Sequence, residues 1–253
     1  MDLAGRVAIV TGSGAEGTGR AIGLALAERG ASVVVTDIDA GGGGDTVRRI
    51  QARGGRAAFL RADVRVPDDL HAMVRFAEDR FGGLDVLVNN AGNTWPPHFP
   101  DCPAEHWDAT LTLNLRGPMI AIQVGLAAMR RRGEGAIVNI SSVAGLGYGV
   151  HDSPEYAAAK AGLIRLTATL APLAGSDGVR VNCVVPHWIE TEEVRRQIAG
   201  MTPQERSGVP PLLQPSEVAA AVVDLIQDDA LAGRVLAMWC GEEPYLLQAD
   251  RRD

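Results

Sequence analysis

Short apolar runs rich in Val, Ile and Ala recur along this chain, and segments of helical periodicity separate them. The runs Arg6–Thr11, Ser32–Asp37, Arg56–Arg61, Leu84–Asn89, Gly135–Ser141, Val179–Val185 and Arg234–Trp239 predict strands. Most are apolar at successive positions, the pattern of parallel strands covered on both faces. Helices are expected over Gly19–Arg29, Gly44–Arg53, Pro67–Phe81, Pro103–Arg131, Pro154–Ala174 and Pro215–Gln227. Four of these begin at a proline, which has no N–H to leave unsatisfied in a first turn. Strict β–α alternation predicts an α/β fold. The expected form is a Rossmann-type doubly wound parallel sheet of about seven strands, helices on both faces, in one domain over 1–253. The segment 190–214 lacks strand character and reads as a substrate loop or lid, and 248–253 reads as a polar tail.

Composition supports a single large core. Hydrophobic residues make up 46% of the 253 and charged residues 22%, which argues against disorder. A net charge of −7 repels phosphate backbones and anionic membranes, so neither a nucleic-acid nor a membrane partner is expected. Cys102, Cys183 and Cys240 are far apart and form no C-x-x-C pair. They suit a reducing compartment, hence a cytoplasmic location, and give no metal framework. No apolar run reaches the roughly 18 residues of a spanning helix.

The first strand runs into Gly12-Ser13-Gly14-Ala15-Glu16-Gly17-Thr18-Gly19 and then a helix. Glycines there permit a tight turn and let backbone approach a pyrophosphate at the helix N-terminus. Asp37 closes the second strand, where a carboxylate can accept both ribose hydroxyls of an adenosine. Ile38 and Asp39 follow it, so no basic residue stands ready for a 2′-phosphate. Arg48 is the nearest one after that strand, and NAD(H) is the expected cofactor. Asp63-Val64 and Asn89-Asn90-Ala91-Gly92 follow the third and fourth strands, at the edge where open α/β sheets bind ligands.

Tyr156 and Lys160 stand four apart on a predicted helix and so share a face. Lys160 is the sole lysine; every other member of the 24 Lys and Arg residues is arginine. A compact ammonium is kept at this one register. An ammonium about 4 Å from a phenol, at an effective dielectric near 20, contributes at most ~4 kcal/mol and would lower the tyrosine from about 10 toward neutrality. Ser141-Ser142 ends the fifth strand and can donate to the same reacting oxygen. Asn114 precedes Gly117-Pro118 inside a long helix, where the proline frees a carbonyl a turn back. A water held there would lie on a proton path.

These residues resemble the single-domain short-chain dehydrogenases/reductases over essentially 3–245. The resemblance rests on the Thr11–Gly19 loop, Asp63-Val64, Asn89–Gly92, Asn114, Ser142, Tyr156-x-x-x-Lys160 and Val181-Asn182 leading to Pro186. It implies an oxidoreductase acting on a secondary alcohol or ketone. Tyr156 would be its acid/base, and Ser142 would orient the substrate oxygen. Lys160 would bind the nicotinamide ribose and lower the Tyr156 pKa, while Asn114 anchors the proton relay. It further implies cofactor contacts from Gly12, Ser13, Gly17, Thr18, Gly19, Asp37, Ile38, Asp63, Val64, Asn90, Ala91, Gly92, Pro186, Ile189 and Thr191, and a homotetramer. Four departures stand out. The glycine loop is one residue longer than T-G-x-x-x-G-x-G, leaving open which of Ser13, Gly14 or Ala15 meets the phosphates. The Ser142–Tyr156 interval is also one longer, and Ser142 is taken over Ser141. His187 replaces the glycine usual after Pro186, and Trp239-Cys240-Gly241-Glu242 replaces Asp-Gly-Gly. Trp95, Leu146, His151, His187 and Trp188 are expected to line the substrate pocket. A redox-silent NAD sensor would break the Tyr, Lys or Ser position, and an enoyl-thioester reductase would space Tyr and Lys more widely; neither pattern is present.

Overall fold

The computed structural model describes residues 1–147 and 149–248. Its strands are β1 (Val7–Thr11), β2 (Ser32–Asp37), β3 (Arg56–Arg61), β4 (Val86–Asn89), β5 (Gly135–Ile140), β6 (Val179–Pro186), β7 (Val235–Met238) and β8 (Tyr245–Leu246). They form one sheet in the order 3-2-1-4-5-6-7-8. The expected seven strands are parallel, and the eighth, β8, pairs antiparallel with β7 through Leu236–Leu246 and Ala237–Tyr245. Two residues carry no periodicity, so β8 left no mark in the sequence pattern. Every position of β1, β4, β5 and β6 is buried, as their unbroken apolar runs require.

The described helices are α1 (Thr18–Glu28), α2 (Ala40–Ala52), α3 (Pro67–Phe81), α4 (Ala104–Leu111), α5 (Gly117–Arg132), α6 (Pro154–Thr169), α7 (Leu173–Asp177), α8 (Glu192–Gly200), α9 (Pro203–Arg206) and α10 (Pro215–Gln227). Ile22 and Leu26 of α1 join Val218 and Val222 of α10 on one face of the sheet; Leu70 and Met73 of α3 join Ala121 and Met129 of α5 on the other. Each large aliphatic side chain so buried contributes about 1.5–3 kcal/mol.

Local expectations failed where tertiary contacts overrode them. Helix α2 starts four residues before the expected Gly44, because Asp39 caps it by accepting from the N–H groups of Gly41 and Gly42. Its poor glycine run survives because a Cβ on Gly43 would fall 2.0 Å from the Phe59 ring and one on Gly42 2.7 Å from the Gly14 carbonyl. The helix expected over Pro103–Arg131 is α4 and α5 joined by a π-helical turn, Thr112–Arg116. Pro118 offers no N–H to Asn114, and Gly117 N–H reaches back to Thr112 O instead. The helix expected to run to Ala174 stops at Thr169 and resumes as α7 after Pro172. The segment 190–214 is not structureless. It carries α8 and α9, and a parallel bridge of Ile189 with Leu213 closes its base. Of the expected polar tail, only Gln248 falls within the described residues. Among those residues no helix is long and apolar enough to cross a membrane.

Candidate active site

Two adjoining cavities, of about 440 and 720 Å³, open along the carboxyl edge of the sheet and share Gly12, Asn90, Gly92 and Thr191. They straddle the gap between β1 and β4, where the strand order reverses and such sheets bind ligands.

The β2–β1 side is built from backbone. Gly12 has φ +63°, and a Cβ there would meet Ala91 Cα at 2.8 Å. A Cβ on Gly19 would lie 2.2 Å from the Gly12 carbonyl, so α1 can begin hard against this turn only with glycine. Asn90 Nδ2 holds the turn by donating to the carbonyls of Thr11 and Gly12, both at 2.9 Å. The lengthened loop is stitched to α1 and α2: Arg20 of α1 donates to Gly14 O at 2.6 Å, and Thr46 Oγ1 of α2 donates to Ser13 O at 2.8 Å. Ser13 itself is turned inward, against expectation. Its hydroxyl donates to Val10 O and its N–H to Thr36 O, and it is fully buried. Ala15, Glu16, Gly17, Thr18 and Gly19 face the cleft instead. This concavity is one that added Cβ atoms would fill, so it fits the diphosphate of a dinucleotide.

At the end of β2 the Asp37 carboxylate accepts from Gly14 N–H at 2.8 Å and from Asp39 N–H at 3.0 Å. These bonds fix its orientation and leave lone pairs for further donors. Ile38, Asp63 and Val64 line the same cavity. So does Arg65, which sequence adjacency hid, because it arrives from the turn after β3. Its guanidinium forks onto Asp63 at 2.6–3.1 Å and holds that carboxyl below the usual carboxylate range. Arg48 instead pairs with Asp45 on the surface of α2.

The β4–β6 side is built from side chains. Ser141 Oγ donates to Lys160 O at 2.8 Å and ties β5 to α6. Ser142 Oγ accepts from Ala144 N–H at 3.2 Å, and its hydroxyl proton is directed at the Tyr156 phenol oxygen, a hydrogen bond that favours the phenolate. Lys160 Nζ lies 5.4 Å from the centroid of the Tyr156 ring and donates to Ile140 O at 3.0 Å. The expected lowering of the phenol is reversed here. Burial pushes Tyr156 above its usual 10, opposed by the Ser142 hydrogen bond, and burial pulls Lys160 down to about 8. The ammonium is directed to a carbonyl and not to the phenol oxygen, so desolvation outweighs the attraction. Gly92 admits both neighbours: a Cβ there would fall 2.7 Å from Asn114 Oδ1 and 3.0 Å from Lys160 Nζ. Asn114 Nδ2 donates to Asn93 O and Thr110 O, which the π-helical turn brings within reach.

Of the expected substrate residues, Trp95, His151, His187 and Trp188 line the cleft. His151 stacks on Tyr156 with ring centroids 5.5 Å apart. His187 approaches Cys240 Sγ at 3.2 Å and Trp239 at 5.2 Å, and burial lowers its pKa. Leu146 does not reach the cleft; it packs with Cys183, Val185 and Val235. Pro186 and Ile189 border the cavity, as does Thr191, which also caps α8 by accepting from Val194 N–H. The described residues contain no cluster of three or more His, Cys, Asp or Glu able to hold a metal.

The chain matches the family model for short chain dehydrogenases over residues 6–201. It is 39% identical to the cis-4-hydroxycyclohexanecarboxylate dehydrogenase of Sinomonas cyclohexanicum, covering 93% of this chain and 96% of that one. It is 36% identical to the cyclohexanol dehydrogenase of Acinetobacter sp. strain SE19, covering 89% of each. A solved structure of 7α-hydroxysteroid dehydrogenase with NADH and 7-oxo glycochenodeoxycholic acid superposes with a TM-score of 0.86 at 33% identity, covering 94% of each chain. Fold and relatives agree: this chain belongs to the short-chain dehydrogenases, oxidoreductases that act on alcohols and ketones.

Proposed function

We propose that this enzyme is NAD(H)-dependent and interconverts a secondary alcohol and its ketone, with Tyr156 as the acid/base. The observation that carries the reading is the convergence of Ser142, Tyr156 and Lys160 on one cleft beside a glycine cradle. A bound nicotinamide dinucleotide supplies the hydride acceptor or donor. Its diphosphate would sit against Gly12, Ala15 and Gly17–Gly19. Its adenosine would lie by Asp37, Ile38, Asp63 and Val64, and its nicotinamide end by Asn90, Ala91, Gly92, Pro186, Ile189 and Thr191.

In this reading Ser142 donates to the substrate oxygen, and Tyr156 takes the hydroxyl proton during oxidation or returns it during reduction. Lys160, whose pKa burial lowers to about 8, holds the nicotinamide ribose in this reading. The substrate class we favour is an alicyclic secondary alcohol. His187 and Trp188 line the cleft beside Tyr156, and two of the relatives are named for cyclohexane alcohols. The same reading includes 190–214 as a lid, a homotetramer, and a cytoplasmic setting supported by three unpaired cysteines.

The test is a panel of cyclic and open-chain secondary alcohols followed by NADH absorbance. Tyr156→Phe should cut turnover by about a thousandfold while dinucleotide binding changes little, since a positioned proton donor contributes about 10²–10⁴-fold. Substantial activity in that variant would sink the mechanism.

A further inference from the structure

Five buried side-chain atoms have no hydrogen-bond partner among the described residues: His106 Nε2, Thr110 Oγ1, Asn114 Oδ1 and both carboxyl oxygens of Glu155. They are not scattered. His106, Thr110 and Asn114 stand four residues apart on α4 and its π-helical continuation, and so share one face. Glu155 lies in the first turn of α6, which packs against α4, and directly precedes Tyr156. His106 Nε2 is 3.5 Å from Glu155 Oε1, and the Trp95 ring covers the imidazole at 5.1 Å. At the other end, Asn114 Oδ1 and Lys160 Nζ flank the same face of Gly92.

Orphaned polar atoms in an interior are ordinarily served by internal water. Side chains four apart on a helix are about 5–6 Å from one another, the reach of one water making two hydrogen bonds of about 2.8 Å. We propose that this strip is a hydrated proton path from the Tyr156–Lys160 site, past Asn114 and Thr110, to the His106–Glu155 pair. The proposal rests on the dehydrogenase reading. During oxidation the carbinol C–H breaks and its hydride passes to the nicotinamide. The O–H breaks and its proton passes to the Tyr156 phenolate. One proton then shifts along the strip and is held by the imidazole–carboxylate pair before it leaves to solvent beneath Trp95; reduction runs the same transfers backward. Other titratable groups on the same elements are Tyr156 and Lys160 on α6 and His98, whose Nδ1 lies 2.7 Å from Ser153 Oγ at the start of α6. Glu105 and Asp108 on α4, Arg116 beyond it and Asp152 before α6 are exposed.

The test compares Glu155→Gln and Thr110→Val with the unmodified enzyme in alcohol oxidation. Both substitutions keep shape and remove a proton carrier, and Thr110→Val guards against a folding defect in the other. We expect kcat to fall roughly tenfold in each, near or below the low end of the range for proton-transfer groups, with KM and dinucleotide affinity little changed. The dependence of kcat on the deuterium fraction of the solvent should change from curved to linear as the chain of moving protons is cut. A residue that only packs would not move that readout. A crystal structure should also show ordered water between His106, Thr110 and Asn114. Unaltered kcat, pH profile and isotope dependence in both variants of an active enzyme overturn the relay alone, as does a dry strip. An unmodified enzyme inactive on the whole panel with either nicotinamide dinucleotide defeats the dehydrogenase reading and the relay with it.

Discussion

The two ends of the cleft are built by different means. Toward β2 the surface is backbone: Gly12, Gly14, Gly17 and Gly19 shape it, and Asp37 and Asn90 hold it by bonding main-chain groups. Toward β5 and β6 the surface is side chains whose positions depend on how α4, α6 and their turns pack. Ser141 is anchored to α6, Lys160 to β5, and Asn114, within its π-helical turn, to the Asn93 carbonyl. A backbone cradle tolerates changes to its side chains but no added Cβ. A side-chain site has the opposite tolerance: its packing survives only if charge, volume and hydrogen bonds match. The difference separates binding, which a local loop can provide, from proton chemistry, which needs several elements in register.

The sharpest break of that contrast is at Asp37, a side chain working at the backbone end. Replacing a ribose hydroxyl with a 2′-phosphate would lose one charge-assisted hydrogen bond and add repulsion, roughly 3–5 kcal/mol, or about a hundredfold to a few thousandfold in kcat/KM for NAD over NADP. Arg65 does not cancel this, because Asp63 already neutralises it. The ratio for both cofactors should collapse in Asp37→Ala, and equal use of both by the unmodified enzyme would overturn the assignment.

Lys160 tests the catalytic end, where a charge is kept at the expense of stability. Its folded pKa, about 8, lies below the ordinary lysine value of about 10.5, so the unfolded chain binds more protons between those values. Stability therefore rises with pH across that window, and the penalty is complete below about pH 8. Lys160→Met should be more stable at pH 7 by up to roughly 3 kcal/mol, the equivalent of the shift. Relative to that variant, the unmodified protein should recover between pH 8 and 10.5. Chemical denaturation of the pair at several pH values checks the slope. A constant difference would mean that Lys160 is not desolvated.

The smallest effects should divide the substrate wall from its support. Trp188→Ala should raise KM for a ring substrate about tenfold, the cost of a lost apolar contact. Leu146→Ala should leave KM alone and lower Tm, because it empties the cluster around Cys183 and Val185. Equal KM changes in the two would erase the distinction.

Much of this molecule could be read before its structure. Unbroken apolar strands with helices between them determine a parallel sheet, and a sheet of that kind puts Asp37, Asp63, Asn90 and Ser142 on one edge. The four-residue spacing of Tyr156 and Lys160 on a helix determines that they are neighbours. What the sequence left open was set by contacts distant along the chain. Ser13 turned inward because Val10 and Thr36 offered carbonyls, and Leu146 because a gap beside β6 and β7 accepted it. Arg65 joined the lining of the Asp37 end of the cleft, and β8 paired with β7. The sign of the Tyr156 shift was decided the same way, since spacing brings an ammonium near a phenol but only packing sets whether it faces the oxygen or a carbonyl. Local pattern carries periodicity and adjacency. Burial, and the hydrogen bonds that must be found within it, belong to the whole fold.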